Sequence, residues 1–437
     1  MSESSSAYLL ERAWVDGAVR DDVLVEIEDG RFTSVTPVGQ NLHLSGEVSA
    51  EKYRFPRVPG ETTRLPGLTI PGLRNDHSHA FHRALRGRTQ VGRGTFWTWR
   101  EQMYDVAARL APDAYFALAR ATYREMVAAG YTSVSEFHYL HAPEPAMGDA
   151  LRSAAAEAGI RITLLDTCYV SSGFGAPPEG AQLRFSDGTA EQWAARVGDG
   201  PAAIHSVRAV PREQLHVFRG RDPLHVHLSE QQQENEACLA AYGVTPTRLL
   251  HDEGLLGPGT TVVHATHLTD DDIALLGATR TNVCVTPTTE RDLADGIGPA
   301  RRLADAGCRI TIGSDSHAVI DPFEELRGLE MDERLVTRER GHWSAAELLA
   351  IGAAGGIAVG EPADLVTIDT ASPRTAGTGA DEHTAVFAAT GADVTQVVIG
   401  GRVVATRDDH EAIGRELDAA LSALMVSTLT GRAGRVP

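Results

Sequence analysis

The amino-acid sequence predicts an α/β protein: a (β/α)8 TIM-like barrel with a small β domain built from both terminal segments. Three observations carry this. Short β-type runs alternate with helical stretches eight times between residues 66 and 356, the pattern of parallel strands returned by crossover helices. Residues 1–65 and 357–408 lack those helices and hold short alternating runs, such as Val23-Leu24-Val25-Glu26-Ile27 and Ala363-Asp364-Leu365-Val366-Thr367-Ile368. Histidines and one aspartate recur where four strand candidates end, and barrel enzymes carry their chemistry at that end.

In chain order, the first segment contributes Val23–Ile27 and Phe32-Thr33-Ser34-Val35 to the β domain. The barrel strands are expected at 68–73, 132–139, 161–169, 203–210, 224–228, 261–264, 281–285 and 309–313. Between them, 112–129, 147–158, 299–306 and 321–335 show the apolar stripe of amphipathic helices. The β domain resumes at 363–368 and 395–404. Residues 409–437 form the last unit, with a helix over 409–429 whose Ile413, Leu417, Leu421 and Leu424 share a core-packed face.

With 437 residues the chain can bury a large core. A net charge of −19 argues against nucleic-acid or anionic-membrane partners. The N-terminus has no basic, then apolar, leader, and no apolar run spans a membrane, so a soluble cytoplasmic protein is expected. Cys168, Cys238, Cys284 and Cys308 form no CxxC pair and read as buried reduced thiols. Of 40 basic residues only Lys52 is a lysine, which excludes lysine chemistry in the middle of the chain.

The chemistry begins at Asn75-Asp76-His77-Ser78-His79-Ala80-Phe81-His82. Side chains at i and i+2 of a strand share a face, so His77 and His79 converge while His82 must leave the strand. The fifth strand reads Leu224-His225-Val226-His227-Leu228-Ser229-Glu230, the sixth ends at His264 with His267 in the loop beyond, and the eighth runs into Asp315 and His317. His227 lies nearer the mouth than His225 and is the better ligand. Imidazoles plus one carboxylate at a barrel mouth suit one divalent transition ion such as zinc or iron. Metal ligands are therefore expected at His77, His79, His227 and Asp315, with Glu230 free to shuttle protons.

The HxH of the first strand, the HxxE of the fifth, the histidine of the sixth and the aspartate of the eighth resemble the amidohydrolase superfamily. Segments 360–369 and 397–404 resemble its composite β-sandwich. Many members bridge two metals through a lysine on the fourth strand. Here His205 and Arg208 occupy that region, so the resemblance implies a mononuclear site, most simply zinc. Phe96-Trp97-Thr98-Trp99-Arg100-Glu101, Glu136-Phe137-His138-Tyr139, His205-Ser206-Val207-Arg208, Pro287-Thr288-Thr289-Glu290 and Asp321-Pro322-Phe323-Glu324-Glu325 further resemble the N-formimidoyl-L-glutamate deiminases of histidine degradation. That resemblance implies that Arg100, Tyr139, His205 and Arg208 hold the carboxylates of a glutamate moiety, as guanidinium forks do. His82 stands where a substrate-contacting glutamine is expected, and near Gly355-Gly356 the resemblance implies a longer segment, so that stretch is either shortened or missing in part.

The expected reaction is hydrolytic deamination to N-formyl-L-glutamate and ammonia, with Glu230, His264 and Asp315 as catalytic residues. Spacing alone leaves open which C–N bond breaks. The rival is an aminohydrolase of a purine, pyrimidine or triazine ring, which needs stacking aromatics more than paired arginines. A catalytically silent homologue would lose metal ligands, and none is missing here. A homodimer is the expected assembly.

Overall fold

The computed structural model describes residues 6–38, 62–141 and 146–432. Lys52 and much of the expected 1–65 segment lie outside the described residues. The strands are β1 (Ser6–Val15), β2 (Ala18–Glu28), β3 (Arg31–Pro37), β4 (Thr62–Pro71), β5 (Leu73–Ser78), β6 (Tyr131–His138), β7 (Arg161–Cys168), β8 (Ala202–Ile204), β9 (Leu224–Leu228), β10 (Thr260–His264), β11 (Asn282–Val285), β12 (Arg309–Ile312), β13 (Leu365–Ile368), β14 (Val394–Ile399) and β15 (Arg402–Thr406).

β5 to β12 form an eight-stranded sheet in sequence order, every neighbouring pair parallel. Short strands buried on both faces suit such a sheet: Val226, Val262, Val283 and Ile310 are all buried. The ring closes at its mouth, where the Asp315 N–H donates to the His77 carbonyl at 3.0 Å and the His79 N–H to the Asp315 carbonyl at 3.3 Å. The terminal segments join in one seven-stranded sheet, ordered β15-β14-β13-β4-β1-β2-β3.

Three expected strands differ in detail. The run 68–73 is not the first barrel strand: β4 ends at Pro71 within the terminal sheet, and β5 starts at Leu73. Gly72 is the joint, since a Cβ there would lie 2.4 Å from Thr132 Oγ1 and 2.7 Å from Asp364 Cβ. Strands on both sides of Gly72 are buried, so the sequence shows one apolar run. The strand expected over 203–210 stops at Ile204, and Ala209 and Val210 donate back to the Ser206 carbonyl in a turn. Run 395–404 is a hairpin turned at Gly400 and Gly401, with φ +57° and +77°.

The helices Pro112–Ala129 and Met147–Ala158 coincide with their expected spans. Ala300–Ala306 and Pro322–Thr337 follow closely, the latter capped by the Asp321 carboxylate accepting from the Phe323 and Glu324 N–H groups. The last helix, His410–Arg432, buries Ile413, Leu417, Leu421 and Leu424, the first two against Ala121 and Ala128. The connection through Gly355-Gly356 runs from the helix Ala345–Gly352 to β13, with the Ala354 N–H donating to the Gly72 carbonyl. All four cysteines are buried free thiols. No described helix is long and apolar enough to cross a membrane.

Candidate metal centre and substrate pocket

His77 ends β5, and His79 follows in extended backbone (φ −128°, ψ 90°), so both rings point inward at the barrel mouth. His77 Nε2 lies 3.0 Å from His227 Nε2, and Asp315 Oδ1 is 3.4 Å from His77 Nε2 and 3.3 Å from His79 Nε2. Two donors of a tetrahedral zinc shell are roughly 3.3 Å apart, given Zn–N near 2.0–2.1 Å. Ligand atoms of His77, His79 and His227 lie within 4.8 Å of one another, and so do those of His79, His82 and Asp315, so the two groups share His79. His79 Nδ1 donates to the Phe137 carbonyl at 2.9 Å, leaving Nε2 with a free lone pair. Burial lowers the pKa of all three histidines, His79 to about 3, so the rings are neutral as metal ligation requires. Burial opposes ionisation of Asp315, but its hydrogen bond to His77 and the charges of His77 and His264 hold it well below the usual carboxylate range.

The catalytic candidates adjoin this cluster. His264 Nε2 is 3.8 Å from Glu230 Oε1 and 3.9 Å from Asp315 Oδ2. Its Nδ1 faces Thr286 Oγ1 at 3.1 Å and Glu290 Oε1 at 3.6 Å. Burial lowers the His264 pKa, but Glu230, Glu290 and Asp315 outweigh it and raise it to about 10. Burial pushes Glu230 up to about 7 against the pull of His264, a value suited to proton transfer near neutrality. Ser229, His264, Ala265, Asp315 and His317 all have positive φ. Left-handed backbone at non-glycine residues is strained, and here it turns side chains at three strand ends toward one point.

His82 occupies the 3-10 turn Ala80–Leu85. Its ring lies 4.5 Å from that of His79, Nε2 meets the Tyr139 hydroxyl at 3.0 Å, and Nδ1 has no partner. His317 Nε2 contacts Ser78 Oγ at 3.2 Å, behind the ligands. His225 is buried lower on β9, opposite Ala203 and Thr261. Arg100, Tyr139, His205 and Arg208 line one cavity with His82, His79, His227, Glu230, His264 and Asp315. Every candidate but His77, which lies beneath its floor, therefore borders the same space. Arg100 donates from Nε to the Tyr104 hydroxyl at 2.5 Å and covers the Trp97 and Tyr104 rings.

Sequence reasoning gave no role to several neighbours. Glu136 accepts from Ser78 Oγ and the Ala80 N–H, both at 2.6 Å, and so brackets His79. Glu290 and Thr286 back His264. Glu234 lies in the first turn of the helix Gln232–Tyr242, just after the Glu230 loop, and Tyr104 follows Arg100 by one turn of the helix Phe96–Ala107. That i,i+4 spacing was the available signal for Tyr104.

The fold and site define a metal-dependent hydrolase that acts on C–N bonds. Residues 68–404 match the amidohydrolase family, and the chain belongs to it. It is 35% identical to a formimidoylglutamate deiminase of Pseudomonas aeruginosa, over 88% of this chain and 96% of that one. It is 27% identical to a 5-methylthioadenosine/S-adenosylhomocysteine deaminase of Syntrophobacter fumaroxidans, over 89% and 94% of the two chains. Among solved structures, an amidohydrolase from Brucella melitensis superposes with a TM-score of 0.82 at 28% identity, covering 96% of this chain and 100% of the other.

Proposed function

We propose that the protein hydrolyses the formimino C–N bond of N-formimidoyl-L-glutamate, giving N-formyl-L-glutamate and ammonia, with one zinc ion held by His77, His79, His227 and Asp315. The observation that carries the substrate is the state of the two cavity arginines. Among the described residues neither Arg100 nor Arg208 has a carboxylate within 4.0 Å. In a chain of net charge −19, two such guanidiniums beside a metal cluster are receptors for an anionic substrate. The similarity to the Pseudomonas deiminase agrees with that reading.

When bound, the ion acts as a Lewis acid and makes water a nucleophile at neutral pH. Asp315 accepts the proton of the attacking water. His264, backed by Glu290 and Thr286, orients the nucleophile and stabilises charge on the tetrahedral carbon. Glu230 carries a proton to the departing nitrogen, so that ammonia leaves rather than an amide anion. Arg100, Tyr139, His205 and Arg208 hold the carboxylates, while His82 lies against His79 and Tyr139 at the cavity wall.

A second reading has its own support. Phe96, Trp99, Tyr104, Tyr139, Tyr169 and Phe185 give the cavity aromatic walls, and adenosine-type deaminases are among the relatives. The test is ammonia release by zinc-reconstituted protein from N-formimidoyl-L-glutamate and from 5′-methylthioadenosine. Rapid release from the first, with N-formylglutamate as co-product and kcat lowered ~10²–10⁴-fold by Glu230→Gln, supports the proposal. Release from the nucleoside alone refutes it.

A further inference from the structure

Tyr169 follows the end of β7, is 2% exposed, and lines the substrate cavity between Phe185 and His205. Its hydroxyl has no partner within 3.5 Å among the described residues, and the Tyr104 hydroxyl lies just beyond. A buried phenol normally finds one, because leaving it unpaired is costly. The nearby Tyr104 oxygen accepts from Arg100 Nε at 2.5 Å and Gln182 Nε2 at 3.0 Å, so both its lone pairs are engaged and only its O–H remains to donate toward Tyr169. Arg100 and Arg208 are the cations acting on the Tyr169 hydroxyl, and neither can accept its proton. The hydroxyl thus has a proton left to donate beside two guanidiniums that have no carboxylate within 4.0 Å among the described residues.

We propose that Tyr169 is a specificity-determining residue whose hydroxyl donates to the substrate carboxylate held between Arg100 and Arg208. The inference rests on the anionic-substrate reading above. It goes beyond that reading by assigning a further neutral donor, and Tyr104 with Gln182 as the residues that position Arg100. A neutral donor adds directionality without adding to the positive charge that the two arginines already concentrate there.

The test uses zinc-reconstituted protein and its Tyr169→Phe variant, with glutarate and N-formyl-L-glutamate as probes in calorimetric titrations. Loss of a hydrogen bond to a charged group should weaken both probes by roughly 10-fold or more, and raise KM with kcat nearly unchanged. The melting temperature of the ligand-free variant should stay level or rise, because an unpaired buried hydroxyl is removed. Probe affinities within twofold of the parent would overturn the proposal. So would a variant that fails to fold, since that would give the hydroxyl a structural partner. If the parent binds glutarate but releases no ammonia from N-formimidoyl-L-glutamate, the substrate reading falls while the variant still decides the role of Tyr169. If the parent binds neither probe, both fall.

Discussion

Replacing Arg208 by methionine separates binding from folding. The guanidinium has no ion-pair partner within 4.0 Å among the described residues, so its removal breaks no salt bridge of the fold. Methionine keeps the length and apolar contact of the stem. Each hydrogen bond from a guanidinium to a carboxylate is worth about 1.5–3 kcal/mol. A bidentate pair, discounted for water that replaces the lost donor, comes to about 3 kcal/mol. At about 1.4 kcal/mol per decade this is roughly a 100-fold rise in KM for N-formimidoyl-L-glutamate. The carboxylates lie away from the breaking bond, so the lost binding is the same in ground and transition states and kcat should fall only a few-fold. Steady-state ammonia release measures both constants, and a thermal melt reports the separate cost of leaving the buried Glu230 and Glu234 without the Arg208 charge. A KM within threefold of the parent, or a fall confined to kcat, would refute the assignment of Arg208 to the substrate carboxylate.

Other sites give independent outcomes. A Cβ at Gly313 would lie 2.7 Å from the His77 carbonyl oxygen and 2.8 Å from His77 Cβ. Gly313→Ala should therefore destabilise the fold by about 1–3 kcal/mol and release zinc faster in a chelator-competition assay. Far from the cavity, Asp393 is clasped by Arg374 Nε and Nη2, each at 2.8 Å. Burial opposes ionisation of Asp393, but Arg374, Ser372 and the Thr390 N–H outweigh it and bring its pKa from 3.8 down to about 2. A depressed carboxylate pKa contributes stability that is present above the unfolded value and lost as pH falls through the folded value. Asp393→Asn should thus cost about 1 kcal/mol near neutrality, after allowing for screening at the half-exposed Arg374. In urea unfolding the deficit should shrink as pH falls from about 4 toward 2, and a deficit independent of pH would refute the charge-based account.

Much of the molecule was legible in the chain because the relevant physics is local. Strand–helix alternation follows from burial period, and a strand fixes the shared face of His77 and His79. The helices Pro112–Ala129 and Met147–Ala158 end at glycines in left-handed backbone, a stop signal written in the sequence itself. Ile413, Leu417, Leu421 and Leu424 recur at the spacing of one helical face, and all four are buried.

The tertiary fold decided what depends on residues far apart in the chain. The apolar run across Gly72 divides between two sheets because Thr132 and Asp364 crowd that position, and neither is near it in sequence. The ring closes through Asp315 and His77, 238 positions apart by the numbering, so the same residues both seal the barrel and bring a carboxylate oxygen to 3.4 Å from an imidazole nitrogen. Glu136 and Glu290 stand in segments that carried the resemblance but were given no role, and Tyr169 stands in none. What they can do is set by which groups face them, a bracketed His79, a His264 ringed by carboxylates and two cavity guanidiniums. Hydrogen bonds and charges act over a few ångströms of space regardless of separation along the chain, and only the folded barrel sets those distances.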